Sequence, residues 1–226
     1  MERNTKKHLS TGLGLLLAFA LWTVLILFVD VQKAGPSETE VGFATFNIWF
    51  HRLTGEHKTL YTITDWLGLV PIAVCLGFGA LGLVQLFRRK GLQNVDPDIL
   101  LLGGYYVLVI LGYLFFEAVP INYRPVLIEG RLEASYPSST TLLVLSVMPT
   151  LKLQINRRSK SSVLKGIVDV FVALFSSFMV IARLVSGVHW ITDIIGAVLL
   201  SGGLLFIYQY GVEASDRRRE KEHGIQ

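Results

Sequence analysis

Residues 182–210 read ARLVSGVHWITDIIGAVLLSGGLLFIYQY. Arg183, His189 and Asp193 lie at the start of this stretch, and the rest, through Tyr210, is dominated by apolar and small residues. A helix needs roughly 20 mostly apolar residues to cross the hydrocarbon core of a bilayer, because every backbone N–H and C=O must be paired within the segment. A span from Trp190 to Tyr210 meets that requirement. Its mouth carries groups that are costly in a membrane unless they face a cavity, so the cluster reads as a functional site.

Working outward from that span, five further stretches qualify: Leu13 to Val31, Trp66 to Phe87, Ile99 to Val119, Ser138 to Leu153 and Gly166 to Val185. The fourth is short and carries Pro149, and Lys152 near its end is expected to snorkel to the interface and extend its reach. Lys6 and Lys7 precede the first stretch, whose length and lack of a small-residue cleavage site favour a retained signal anchor. The chain has 226 residues, 52% hydrophobic and 17% charged, which excludes an ordinary soluble domain. No internal repeat or low-complexity linker divides it. The expected fold is all-α: a single membrane domain over residues 1–226, built as a bundle of six transmembrane helices.

Alternate loops differ in their basic residues. On one side fall Arg3, Lys6, Lys7, Arg88, Arg89, Lys90, Lys152, Arg157, Arg158, Lys160, Lys165, Arg217, Arg218, Arg219 and Lys221; the other side has Lys33, Arg52, Lys58, Arg124, Arg131 and Arg183. Positive-inside bias puts both termini in the cytoplasm. The formal charge of +4 is therefore a topology signal, and nucleic acid is not an expected partner. Cys75 is the only cysteine, so neither an intrachain disulfide nor a thiolate cluster exists. His189 and Asp193 lack a third ligand at helical spacing, so no metal site and no cofactor are expected. The outer loop, residues 32–65, carries Phe43, Phe46, Trp49, Phe50 and Leu53 on one helical face, which suits an interfacial helix covering the bundle.

Three polar blocks, Glu117 to Arg131, Tyr136 to Thr141 and Arg183 to Asp193, end or begin spans that this topology brings to one outer face. Their chemistry fits an anion. Arg124 and Arg183 offer planar, permanently charged forks. With Pro137 at the first helical position, the N–H groups of Ser138, Ser139, Thr140 and Thr141 would lie free at a helix N-terminus, where the dipole favours phosphate. Asp193 lies four residues after His189 and can fix the imidazole tautomer, leaving a ring that can attack phosphorus.

These residues resemble the three motifs of the type 2 phosphatidic acid phosphatase superfamily, whose pattern runs K-x6-R-P, P-S-G-H and S-R-x5-H-x3-D. Here the motifs are Glu117-x6-Arg124-Pro125, Pro137-Ser138-Ser139-Thr140 and Ala182-Arg183-x5-His189-x3-Asp193. The third is extended by Gly187, Val188 and Trp190, and the likeness covers residues 99–210 as a four-helix catalytic core. The resemblance implies a membrane hydrolase acting on a lipid phosphate or diphosphate through a phosphohistidine. His189 would be the nucleophile and Asp193 its support, with Arg124, Arg183, Ser138, Ser139 and Thr140 at the phosphate. It also implies a bacterial plasma membrane with the site on the non-cytoplasmic face.

Two departures carry consequences. Glu117 stands where the family has a phosphate-binding lysine, and Thr140 where it has the general-acid histidine. A threonine does not donate protons near neutral pH, and general-acid help is typically worth about 10² to 10⁴ in rate. Three outcomes stay open. The substrate is a diphosphate such as undecaprenyl diphosphate, whose leaving group needs little protonation; or another acid, among Glu117, Glu129, Glu133, His51 and His57, takes the role; or the site binds lipid phosphate without turnover. A phosphotransferase would use the same residues. A small transporter is disfavoured, since its polar groups would line a path through mid-membrane.

Overall fold

The computed structural model describes residues 2–224, without the side chains of residues 2–4, 222 and 223, so Arg3 of the topology count contributes no side-chain geometry. Its helices are α1 Glu2–Phe28, α2 Ala44–Thr54, α3 Lys58–Leu67, α4 Leu69–Arg89, α5 Pro97–Ala118, α6 Ser139–Arg158, α7 Ser162–Val185 and α8 Ile191–His223. The all-α expectation needs one correction. Between α1 and α2, β1 Gln32–Ala34 pairs antiparallel with β2 Thr39–Val41 across a tight turn that includes Gly35 at φ 77°. A three-residue strand leaves no period for a sequence to reveal.

Among the described residues, five helical segments are long and apolar enough to cross a membrane: Thr5–Phe28, Lys58–Arg89, Pro97–Ala118, Ser162–Val185 and Ile191–Lys221. The second combines α3 and α4 across Gly68, and Pro71 sits in the first turn of α4, where a missing N–H costs nothing. Helix α6 does not meet the criterion, and its surroundings explain why. Thr141, Ser146, Thr150 and Gln154 are buried inside the bundle, where a helix need not match lipid. The Tyr105 hydroxyl donates to the Ser146 carbonyl at 3.0 Å, Tyr106 and Thr150 share a 2.7 Å bond, and Gln154 donates to the Tyr208 hydroxyl at 2.8 Å. Buried polar groups paired in this way avoid the desolvation penalty. Lys152, near the end of α6, places its Nζ 3.2 Å from Asp169 Oδ2 on α7.

The packing of α1 on α8 forms the long seam of the core. Gly203 is required there, because a Cβ would lie 2.7 Å from Leu16 Cδ2 and 3.1 Å from the Leu16 backbone nitrogen. Phe19, Ile26, Leu102, Tyr105, Val109, Leu142, Ala197 and Leu200 are buried together beside this seam.

Helix α8 runs to His223, well past the expected end at Tyr210, since its polar extension finds partners. Arg157 grips Asp216 through two bonds of 2.8 and 2.9 Å, and His8 Nδ1 lies 3.1 Å from Glu213. Asp98 completes this end of the bundle, with Arg158 Nη1 at 2.7 Å and Arg157 Nε at 3.4 Å. Asp98 opens α5 and Glu117 closes it, so this ion-pair network and the end of the bundle that carries Glu117 are separated by about 30 Å of helix. Replacing Asp98 with alanine strips two guanidiniums of a shared, buried acceptor. The expected result is a loss of about 1–3 kcal/mol, read as a lower thermal midpoint in detergent.

Candidate active site

The turn between α7 and α8 is held from several directions. The Ser186 hydroxyl donates to the Arg183 carbonyl at 2.7 Å, closing α7. Gly187 follows at φ 75°, where a Cβ would fall 2.2 Å from the Gly55 carbonyl oxygen, so only glycine fits. The segment carrying α2 grips this turn: the His57 N–H donates to the Ser186 carbonyl at 3.0 Å, and His51 Nε2 to the Gly187 carbonyl at 3.0 Å. Helix α2 is thus a cover fixed to the site, with Asn47 bonded to Thr192 at 3.0 Å. Phe46, Trp49 and Leu53 point outward from it, while Phe43 instead stacks on Trp22 at 5.1 Å.

Asp193 occupies the third position of α8 and caps it, its Oδ2 accepting the Trp190 N–H at 2.9 Å and its Oδ1 the Asn122 amide at 3.3 Å. His189 stands against it, 3% exposed. Its Nδ1 lies 3.1 Å from the Ser135 carbonyl oxygen and 3.6 Å from Asp193 Oδ2. A carbonyl can only accept, so Nδ1 carries the hydrogen and Nε2 keeps a bare lone pair. The sequence reading gave that orienting role to Asp193; the hydrogen bond goes to the Ser135 backbone, and the carboxylate supports it from behind. Nε2 is buried and has no hydrogen-bond partner. Burial, and then the charges of Arg124 and Arg183, hold the imidazole pKa well below its ordinary value, so the ring is neutral.

His189 lines a cavity of about 180 Å³ together with Tyr113, Phe116, Glu117, Arg124, Glu133, Ala134, Ser135, Tyr136, Pro137 and Ser139. Arg124 is 8% exposed; its Nε lies 3.1 Å from Glu133 Oε2, while Nη1 is buried without a partner. Such a nitrogen pays its desolvation cost unless an anion joins it. An uncharged imidazole and a guanidinium with a spare donor, both on residues that line one small cavity, form an arrangement able to receive a phosphoryl group.

The three polar blocks therefore meet at one end of the bundle, but not every expected residue faces the cavity. Ser138 is the N-cap of α6, displacing Pro137 from the first helical position; its N–H is taken by the Asp193 carbonyl at 3.2 Å and its hydroxyl by Thr141 at 3.1 Å. The free first turn expected there is thus reduced, with Ser139 on the cavity wall. Thr140 lines an adjoining groove of about 260 Å³ instead. Arg183 also stands off the wall. Its guanidinium lies 4.8 Å over the Tyr61 ring, bonds Thr64 Oγ1 at 3.1 Å and approaches Asp65 at 3.8 Å, yet its charge reaches His189. Glu129, His51 and His57 are not among the lining residues. Ser135, Asn122 and Thr64 escaped the sequence reading: a backbone acceptor and neutral partners on a distant loop and on α3 carry no motif.

A family profile described as the PAP2 superfamily matches residues 74–217, which include all three polar blocks. The chain belongs to the PAP2 superfamily. Among solved structures, the fold is similar to that of a transmembrane PAP2 type phosphatidylglycerolphosphate phosphatase from Bacillus subtilis, with a TM-score of 0.61 and 17% identity over 90% of this chain and 96% of that one. No curated protein matches the sequence. With its apolar helices and this transmembrane neighbour, the PAP2 chain is an integral membrane protein.

A neutral, buried His189 has a consequence for stability. Its pKa is depressed in the folded state, so below the ordinary value of about 6.5 the unfolded chain binds a proton that the fold refuses. This contribution falls as pH drops, by up to about 1.4 kcal/mol per pH unit. The thermal midpoint in detergent is expected to drop between pH 7 and 5, and the drop to be shallower in His189→Asn.

Proposed function

We propose that this PAP2 protein hydrolyses a lipid phosphate or diphosphate by way of a phosphohistidine at His189. The observation that carries the reading is the bare, buried Nε2 of His189 on the same cavity as the unpartnered Nη1 of Arg124. In the reaction, Nε2 attacks phosphorus, Arg124 binds the equatorial oxygens and Arg183 adds its positive field. The Ser135 carbonyl and Asp193 hold Nδ1–H as the ring gains positive character. Ser139, at the first turn of α6, supplies a donor and the positive end of the helix dipole. Ser138 and Thr140 act from beneath and beside the phosphate rather than on the cavity wall.

The lipid tail has a matching surface. The adjoining groove shares Tyr113 and Ser139 with the polar cavity and is lined by Leu69, Ile72, Val109, Ile110, Leu142 and Leu143. A phosphate in the cavity would leave its hydrocarbon along this adjoining groove, among side chains as apolar as itself. Six helices cross the bilayer in this reading, α6 among them, with both termini cytoplasmic and the cavity at the non-cytoplasmic face, as the distribution of Lys and Arg favours. The substrates that fit include undecaprenyl diphosphate and monoesters such as phosphatidic acid or phosphatidylglycerolphosphate, the last named for the Bacillus subtilis enzyme.

Phosphate release by the purified protein in detergent, measured over these lipids, tests the reading. His189→Ala is expected to abolish release on every lipid turned over, and Arg124→Ala to lower it by about 10² to 10³. Release from His189→Ala at the wild-type rate would remove the mechanism, and saturable binding with no turnover would leave a lipid-phosphate-binding protein.

A further inference from the structure

Histidine is absent from the second motif, and Thr140 at that position faces the neighbouring groove, so the cavity must be searched for the proton a lipid alkoxide needs on leaving. Four lining side chains carry a titratable O–H: Tyr113, Glu117, Glu133 and Tyr136. Tyr136 is committed elsewhere, its hydroxyl 2.7 Å from Thr23, and burial pushes its phenol up, away from proton transfer near neutrality. Tyr113 is a phenol, ordinarily near pKa 10. Glu133 is already engaged, its Oε2 lying 3.1 Å from Arg124 Nε. Glu117 is different: among the described residues it has no hydrogen-bond or ion-pair partner, although it stands on the cavity wall.

We propose that Glu117 is the general acid, protonating the oxygen that leaves phosphorus when His189 attacks. The assignment rests on the phosphohistidine reading above and deepens it. Glu117 sits in the last turn of α5, one turn beyond Tyr113, the residue that belongs to both the polar cavity and the apolar groove. A lipid whose chain lies in the groove has its ester oxygen on the Tyr113 side of phosphorus. His189 comes from the turn before α8 and Glu117 from the end of α5, so nucleophile and acid reach the cavity from separate elements.

The step balances. The Nε2 lone pair forms the N–P bond, the P–O bond to the lipid breaks, and the Glu117 proton moves to that oxygen, giving a neutral alcohol, a Glu117 carboxylate and phosphohistidine. Water then attacks phosphorus and gives its proton to the carboxylate, releasing phosphate and restoring both groups.

A pair of substrates with unlike leaving groups tests the assignment in the full-length protein in detergent: a short-chain phosphatidic acid, which expels an alkoxide, and p-nitrophenyl phosphate, which expels a stabilised phenolate. Glu117→Gln is expected to lower kcat about 10²-fold or more on the alkyl ester while changing the aryl ester far less, because a good leaving group needs no proton. Retained aryl turnover also establishes that the variant is folded. Equal losses on the two esters, no loss on the alkyl ester, or a wild-type protein that turns over the aryl ester alone would overturn the assignment. His189→Ala separates the two levels: its failure to abolish aryl turnover removes the phosphohistidine, whereas abolition beside an indifferent Glu117→Gln removes only the acid.

Discussion

The site depends on one hydrogen bond, from His189 Nδ1–H to the Ser135 carbonyl, made where water does not reach. It selects the tautomer and leaves Nε2 unpaired. Holding it requires that the loop before α6 and the turn before α8 keep a fixed distance, and much of the surrounding chain serves that end. The Ser138 amide bonds the Asp193 carbonyl, Asp193 caps the helix that follows His189, and Asn122 and Tyr123 tie the same turn to the chain after α5. Each bond is worth about 1 kcal/mol, but together they confine an imidazole to one orientation.

Charge is arranged with equal economy at the two ends of the bundle. At the end away from the cavity, guanidiniums and carboxylates are matched: Arg89 to Asp96 at 2.7 Å, Arg158 to Asp98, Arg157 to Asp216. At the cavity they are left incomplete. Arg124 keeps an unpaired nitrogen, His189 an unpaired lone pair, and Glu117 stands free on the wall. Paired charges brace a fold; unpaired ones in a cavity await a ligand. The cover made by α2 and α3 belongs to the same arrangement, since it holds both the turn bearing His189 and the guanidinium of Arg183.

Much of this was legible in the sequence because bilayers impose simple lengths. The spans at 13–31, 99–119 and 166–185 fall within α1, α5 and α7 to within a few residues at their C-terminal ends, and the spacing of His189 and Asp193 put both on one helix mouth. Legibility failed where tertiary partners override composition. Helix α6 reads in the sequence only as a short stretch from Ser138 to Leu153, whereas it runs on to Arg158, because Tyr105, Tyr106 and Tyr208 satisfy its polar groups from neighbouring helices. Arg183 has the spacing of a phosphate ligand, yet Tyr61 and Thr64, 119 to 122 residues away in the chain, draw it off the cavity wall. The Ser135 carbonyl could not have been found by any reading of side chains.

The central claim is that phosphorus becomes bonded to Nε2 of His189 during turnover. Rapid quenching of the wild-type protein with a phosphorus-labelled lipid substrate, followed by peptide mapping under conditions that preserve phosphoramidates, addresses it directly. The account predicts label on the peptide containing His189, formed no more slowly than turnover and absent when His189 is replaced. Label on another residue, or turnover by the wild type with no labelled protein at any quench time while product accumulates in a burst, would contradict it.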